Sequence, residues 1–310
     1  MREQALRIGR TGATDRERRN LLREYLLHVL LRTLFEERLL GGLVFHGGTA
    51  LRMLHDLARF SEDLDFHSLA GADTVGGGEG SRGAGTAGGR EGLAGAGLAG
   101  EGEGVGSPGE AAHLAERRFD LRDHLDGLVA RIESSGYRLD TKPRLQGNVQ
   151  SCMFRFPELL HACDLSPRPE EKLSIKLEID RNPPPGFTIE RSPVDRYFPF
   201  VVVHHDRPTF LAGKLHALLQ RPFAKGRDYY DLMFYLRRWP EVAPNLEYLE
   251  AALRQTDYEG QAVTEASWKD LVAERVREVD WAAVERDIAP FILRPRDLDA
   301  FEKEFLLRLL

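Results

Sequence analysis

Phe45-His-Gly-Gly-Thr-Ala-Leu-Arg52 and, shortly after it, Ser61-Glu-Asp-Leu-Asp-Phe66 are the two pieces of sequence from which the fold of this chain is read. Leu43, Val44 and Phe45 make a short apolar run of the kind found in buried strands. Gly47 and Gly48 interrupt it. Thr49 then stands where a capping hydroxyl belongs, ahead of a helix expected to reach about residue 58. From residue 60 to 66 the chain alternates. Ser61, Asp63 and Asp65 share one face of the expected strand, and Phe60, Glu62, Leu64 and Phe66 share the other.

Each half is common alone. An Asp-x-Asp alternation occurs on many solvated acidic strands, and a glycine pair on many strand-to-helix turns. The order strand, Gly-Gly-Thr, helix, strand is much rarer, and its chemistry is coherent. Carboxylates two apart on a strand point the same way, roughly 6–7 Å apart, and repel unless a cation lies between them. Magnesium takes carboxylate oxygens and keeps phosphate or water as its other ligands. Glycines let a backbone approach phosphate, and the helix that follows offers unpaired N–H groups and a positive dipole end. Asp63 and Asp65 are therefore expected to hold Mg2+, with Mn2+ an alternative. Gly47, Gly48 and Thr49 are expected to meet a triphosphate.

Two later segments extend the pattern. Ser174-Ile-Lys-Leu-Glu-Ile-Asp180 alternates without a break. Ser174, Lys176, Glu178 and Asp180 lie on one face, so the segment offers a phosphate-binding lysine and a third acid to activate an attacking hydroxyl. The alternation keeps both Glu178 and Asp180 eligible, and it also allows the plainer reading of a half-exposed antiparallel strand. In Leu211-Ala-Gly-Lys-Leu-His-Ala-Leu-Leu-Gln-Arg221, Lys214 and Arg221 are seven apart and share a helix face. Asp228 and Asp231 share a face of the next expected helix. The four read as a cationic clamp steadied by two aspartates, or as an ion-pair set between packed helices. Between residues 204 and 238, seven Lys and Arg stand against three Asp. That local excess suits a polyanion in a chain whose net charge is −6.

Outward from these motifs, the 310 residues and 42% apolar content allow a full core with a helical extension. Residues 16–37 predict an amphipathic helix through Leu22, Leu26, Val29, Leu30 and Leu34. Further helices are expected at 112–135, 210–221, 227–238 and onward to the C-terminus. Strands are expected at 137–139, 149–156, 172–180 and 198–203. Residues 71–110 hold 17 of the 30 glycines and read as a disordered insertion that cannot bury enough surface to offset its chain entropy. The class is α+β: a mixed-sheet core over 1–204, then a helical part over 205–310. Cys152 and Cys163 read as buried thiols of a cytoplasmic protein. No apolar run of about eighteen residues and no signal-peptide core is present, so no membrane partner is expected.

With these motifs in place, the chain resembles the AbiEii/AbiGii-type nucleotidyltransferase toxins, including the MenT group. The match lies in Gly47-Gly-Thr-Ala-Leu51, Arg59-Phe-Ser-Glu-Asp-Leu-Asp-Phe66, Lys176-Leu-Glu-Ile-Asp180, Lys214-Leu-His-Ala217 with Arg221, and Arg227-Asp-Tyr-Tyr-Asp-Leu232. The resemblance implies a polymerase-β-like nucleotidyltransferase core and magnesium-dependent transfer from an NTP. It implies an RNA acceptor, often the tRNA acceptor end, and a toxin held by a cognate antitoxin. By position it makes Asp63 and Asp65 metal ligands, and Lys176, Lys214 and Arg221 phosphate binders. Glu178 or Asp180 becomes the third acid, with Asp180 preferred, and Asp228 and Asp231 support the clamp, with Asp228 alternatively near the acceptor. Ser61 shares the metal face, where an added phosphate would repel the triphosphate. The alternatives are transfer to a protein or a small molecule such as an antibiotic, and a non-catalytic nucleotide-binding module.

Overall fold

The computed structural model describes residues 1–69 and 119–310. The insertion expected at 71–110, and the start of the helix expected from 112, lie outside the described residues.

Seven strands form one mixed sheet: β1 (Leu43–His46), β2 (Asp63–Ser68), β3 (Asp140–Arg144), β4 (Val149–Phe156), β5 (Leu173–Asp180), β6 (Ile189–Val194) and β7 (Phe200–His205). Their order is β3-β4-β5-β2-β1-β7-β6, with β2–β5 and β1–β7 parallel and the other pairs antiparallel. The alternation read in the sequence is realised on β5. Leu173, Ile175, Leu177 and Ile179 are buried, while Ser174, Lys176, Glu178 and Asp180 stay half-buried on the opposite face. Both edge strands contain a proline, Pro143 in β3 and Pro193 in β6. An edge is where a residue lacking N–H need not break a ladder.

Two strand expectations need correction. Residues 137–139 are not a strand; β3 begins at Asp140, and its five residues are all exposed, so no hydrophobic alternation marks it. β6 was not expected at all, because it follows a proline-rich break and contains Pro193.

Helix α1 (Arg2–Ile8) precedes α2 (Asp15–Glu36), which is capped by Thr14 and buries Leu22, Leu26, Val29, Leu30 and Leu34 completely. It packs against β5, and each such side chain contributes about 1.5–3 kcal/mol when removed from water. Helix α3 (Gly47–His55) starts two residues before the expected cap, with His46 ahead of it and no side-chain cap bond. It stops at His55, since Asp56 turns the chain with φ +58°. The described part of the segment after the insertion is a 3-10 turn (Leu121–Asp123) and then α4 (Leu125–Ser134), followed by a short α5 (Leu159–Ala162).

After β7 the described chain contains no further strand: α6 (Arg207–Gln220), α7 (Gly226–Arg238), α8 (Leu246–Gln255), α9 (Trp268–Glu278), α10 (Trp281–Ile288) and α11 (Lys303–Leu309). Asp206 caps α6 by accepting from the Thr209 N–H at 2.9 Å, and Pro208 occupies its first turn, where no N–H is needed. The helical part is tied to α2 and to the segment leading into β2. Phe60 N–H donates to the Phe291 carbonyl at 2.7 Å, and the Asn20 amide donates to the Pro290 carbonyl at 3.0 Å. Cys152 and Cys163 are free and buried, and burial pushes the Cys152 thiol up to about 11. No helix among the described residues is long and apolar enough to cross a membrane.

Candidate active site

Beneath α6, α7 and α8 the polar face of the sheet opens into a cleft of about 440 Å3. Asp63, Asp65, Lys176, Glu178 and Asp180 line its floor, and Lys214, Arg221 and Asp228 its wall; Gly47, Gly48 and Ser61 complete that margin. Residues separated by up to 181 positions thus share one cavity. The residues expected at the site but absent from its lining are Thr49 and Asp231.

The floor follows from strand register. On the parallel pair β2–β5, Asp63 lies opposite Lys176, Asp65 opposite Glu178, and His67 opposite Asp180. Glu178 is therefore the acid beside Asp65, and Asp180 lies one pair farther along. Lys176 forms an ion pair with Glu178. Burial, then the charges of Asp63 and Glu178, push the Asp65 carboxyl up to about 7. Burial and the neighbouring Glu62 raise Asp63 as well. Two neighbouring carboxyls raised in this way favour a cation between them. Among the described residues no three acid, His or Cys side chains converge as a closed metal cage.

The wall is built differently, since its charges are paired. Lys214 Nζ lies 2.6 Å from Asp231 and 4.0 Å from Asp228, and Arg221 pairs with Asp228. Asp231 is completely buried and also receives both arms of the Arg59 guanidinium, at 2.6 Å each. Burial alone would raise Asp231, but Arg59 and Lys214 outweigh it and hold its carboxyl below the usual range. The aspartates steady the cations, as the spacing implied, but Asp231 does so from outside the cleft.

The turn has its own steric logic. A Cβ on Gly47 would collide with the Asp65 carboxylate, and one on Gly48 with the Arg59 guanidinium. Gly47 also has φ +77°, which L side chains rarely adopt. The glycine pair is thus required by the close approach of β2 and Arg59. Thr49 is 1% exposed, and its hydroxyl donates to the Asp63 carbonyl oxygen. It ties α3 to the acid-bearing strand instead of capping the helix.

Seven residues whose part in the site was not legible in the sequence also line the cleft: Arg59 and Arg227, which stand within the quoted motifs, Lys225, one of the basic residues counted between 204 and 238, and His46, His67, His205 and Tyr248. Arg59 stands within the quoted motif, but its partner lies 172 positions away. Arg227 reaches Glu62 at 3.6 Å. His46 is driven down to about 3, chiefly by burial, and His67 and His205 fall well below the ordinary range for the same reason.

The chain belongs to the AbiEii family of nucleotidyl transferase toxins of type IV toxin–antitoxin systems, whose model matches residues 28–303. Membership implies a nucleoside triphosphate as substrate and an antitoxin as partner. Two solved structures from Helicobacter pylori are similar over most of their length. One is a proposed nucleotidyltransferase, 16% identical, covering 93% of this chain and 90% of its own, with a TM-score of 0.46. The other is JHP933, 19% identical, covering 94% and 90%, with a TM-score of 0.45. Comparison with curated proteins returned no match.

Proposed function

We propose that the chain moves a nucleotide from an NTP to an RNA acceptor, the acceptor end of tRNA, as a Mg2+-dependent toxin acting in the cytoplasm. The observation that carries this reading is one cleft with two unlike sides: a floor of clustered acids and a wall of cations on α6 and α7. Asp63 and Asp65 would hold Mg2+, with Mn2+ an alternative. When bound, the ion would neutralise charge on the triphosphate and on the departing pyrophosphate.

The chain's own residues do the rest. Lys214 and Arg221 bind phosphate oxygens, kept in place by Asp231 and Asp228. Lys176 adds a third cation beside Asp63. The N-terminus of α3, at Gly47 and Gly48, presents backbone N–H groups to the triphosphate. The acceptor hydroxyl attacks the α-phosphorus. The new O–P bond forms as the bond to the β-phosphate oxygen breaks, and pyrophosphate leaves. The hydroxyl proton passes to a carboxylate; Glu178, beside Asp65 in register, is favoured over Asp180. Residues 1–204 act as the catalytic core and 205–310 as the helical domain that supplies the wall.

An RNA acceptor is supported by the loop joining α6 and α7. Phe223 is 62% exposed there, between Arg221 on one side and Lys225 and Arg227 on the other. An exposed ring among cations is a platform on which an unpaired base stacks. The test is incubation with each of the four labelled NTPs, Mg2+, purified tRNA and total cell protein. Label in tRNA, lost in Asp63→Ala, is the expected result. Label on protein alone would overturn the RNA reading.

A further inference from the structure

Three histidines extend the acid-bearing face of the sheet. His67 follows Asp65 by two residues on β2, His46 pairs with Asp65 across β1, and His205 closes β7 alongside. Their ring centroids are 4.0 Å apart for His46 and His67, 4.9 Å for His67 and His205, and 5.4 Å for His46 and His205. All three line the cleft. Tyr248 of α8 stands over them, 5.5 Å from the His205 ring.

Two of these rings have polar atoms with nothing to bond. His67 is 4% exposed and His205 2%, yet His67 Nδ1 and His205 Nε2 make no hydrogen bond among the described residues. Buried ring nitrogens normally find partners, because leaving them dry forfeits their hydration without return. Here two unpartnered nitrogens lie on neighbouring rings at the same end of one cavity. The cleft's cations are Lys176 on β5, beside Asp63, and those of the wall on α6 and α7, so the histidine end of the floor itself brings no charge suited to phosphate. It offers instead flat rings and hydrogen-bonding edges.

We propose that His46, His67, His205 and Tyr248 form a nucleobase subsite, in which His67 Nδ1 and His205 Nε2 bond the polar edge of a base. The idea rests on the nucleotidyltransferase reading above and deepens it. Geometry supplies the link. Successive same-face residues on a strand are separated by roughly 6–7 Å, so a nucleotide whose phosphate lies at Asp65 reaches the His67 ring across about one sugar. The shared chemistry is a heteroaromatic base, and it has two sources: the incoming NTP or the terminal nucleoside of the acceptor.

The experiment uses the full chain with Mg2+ and compares ATP, GTP, CTP and UTP with inorganic tripolyphosphate, which lacks a base. His67→Phe and His205→Phe keep a planar ring and remove the bonding nitrogens. If the subsite takes the NTP base, the variants bind the preferred NTP about tenfold more weakly and discriminate less among the four, while tripolyphosphate binding is unchanged. If it takes the acceptor base, NTP affinity holds and KM for tRNA rises by a similar factor. Unchanged NTP affinity, unchanged discrimination and unchanged KM for tRNA would overturn the proposal. Should the variants fail to fold, 15N-histidine spectra of the unaltered protein decide. The His67 and His205 ring signals shift with an NTP or a tRNA acceptor end and stay put with tripolyphosphate; equal silence toward all of them sinks the subsite. Absence of binding by both NTPs and tripolyphosphate would instead count against the nucleotidyltransferase reading itself.

Discussion

The floor and the wall of the cleft handle charge in opposite ways. On β2 and β5, Asp63, Asp65 and Glu178 crowd together with Lys176 as the adjacent cation, and Asp65 is pushed up to about 7. On α6 and α7 every cation assigned to the clamp already has a carboxylate, and the innermost, Asp231, is held by Arg59 and Lys214. The difference teaches where the molecule meets its ligands. The floor's carboxyls are raised by burial and by neighbouring acids, whereas the wall's charges are already paired.

The sharpest way to break this contrast is to remove the floor's acids. Asp63→Ala is expected to lower nucleotide transfer by about 10³-fold or more, since metal stabilisation supplies several kcal/mol, with little change in melting temperature. Glu178→Gln should then lose more activity than Asp180→Asn; the reverse order would move the third acid to Asp180. On the wall, the first effect should be on stability. Asp231→Ala strands Arg59 and Lys214 in the interior and is expected to cost about 3–5 kcal/mol, read by denaturant unfolding. A cost near zero would mean that the pairs do not organise the wall.

Ser61 lies at the floor's margin and is buried. Ser61→Glu is expected to abolish measurable NTP binding by adding charge beside Asp63, and retention of full activity would refute that placement. The pH dependence sharpens the contrast further. Asp65 has a folded-state pKa raised above its unfolded value, so the metal-free folded state binds the extra proton between about pH 4 and 7. Metal-free stability attributable to Asp65 therefore falls as pH rises through that window. Mg2+ competes with the proton, so its thermal stabilisation should be larger at pH 8 than at pH 5, and this pH dependence should disappear in Asp65→Asn. A pH-independent shift would place the ion elsewhere. The smallest effect is expected in the loop between α6 and α7. Phe223→Ala should weaken tRNA binding by about 1–3 kcal/mol and leave NTP affinity alone, measured by titration of each ligand.

Much of this was legible in local pattern. The alternation in β5 and the spacing of Asp63 and Asp65 each depend on a period of two, so a few residues suffice to assign a face. Lys214 with Arg221, and Asp228 with Asp231, depend in the same way on the helical period. Thr49 was misplaced because a hydroxyl after two glycines looks like a cap, while its actual acceptor, the Asp63 carbonyl, lies fourteen positions away. β3 and β6 escaped notice because exposed or proline-bearing edges lack the hydrophobic alternation that marks interior strands.

By itself, the sequence determined the α+β class, the acid-bearing strand and the shared helix faces of Lys214 with Arg221 and of Asp228 with Asp231, because each is written in short-range periodicity. Only the tertiary structure decided that Glu178, not Asp180, stands beside Asp65, that Arg59 anchors Asp231, and that three histidines close the floor. Those facts depend on parallel register and on contacts across as many as 172 positions, which no local period encodes. Gly47 and Gly48, first legible as a turn, acquire their reason only when Asp65 and Arg59 are seen pressed against them.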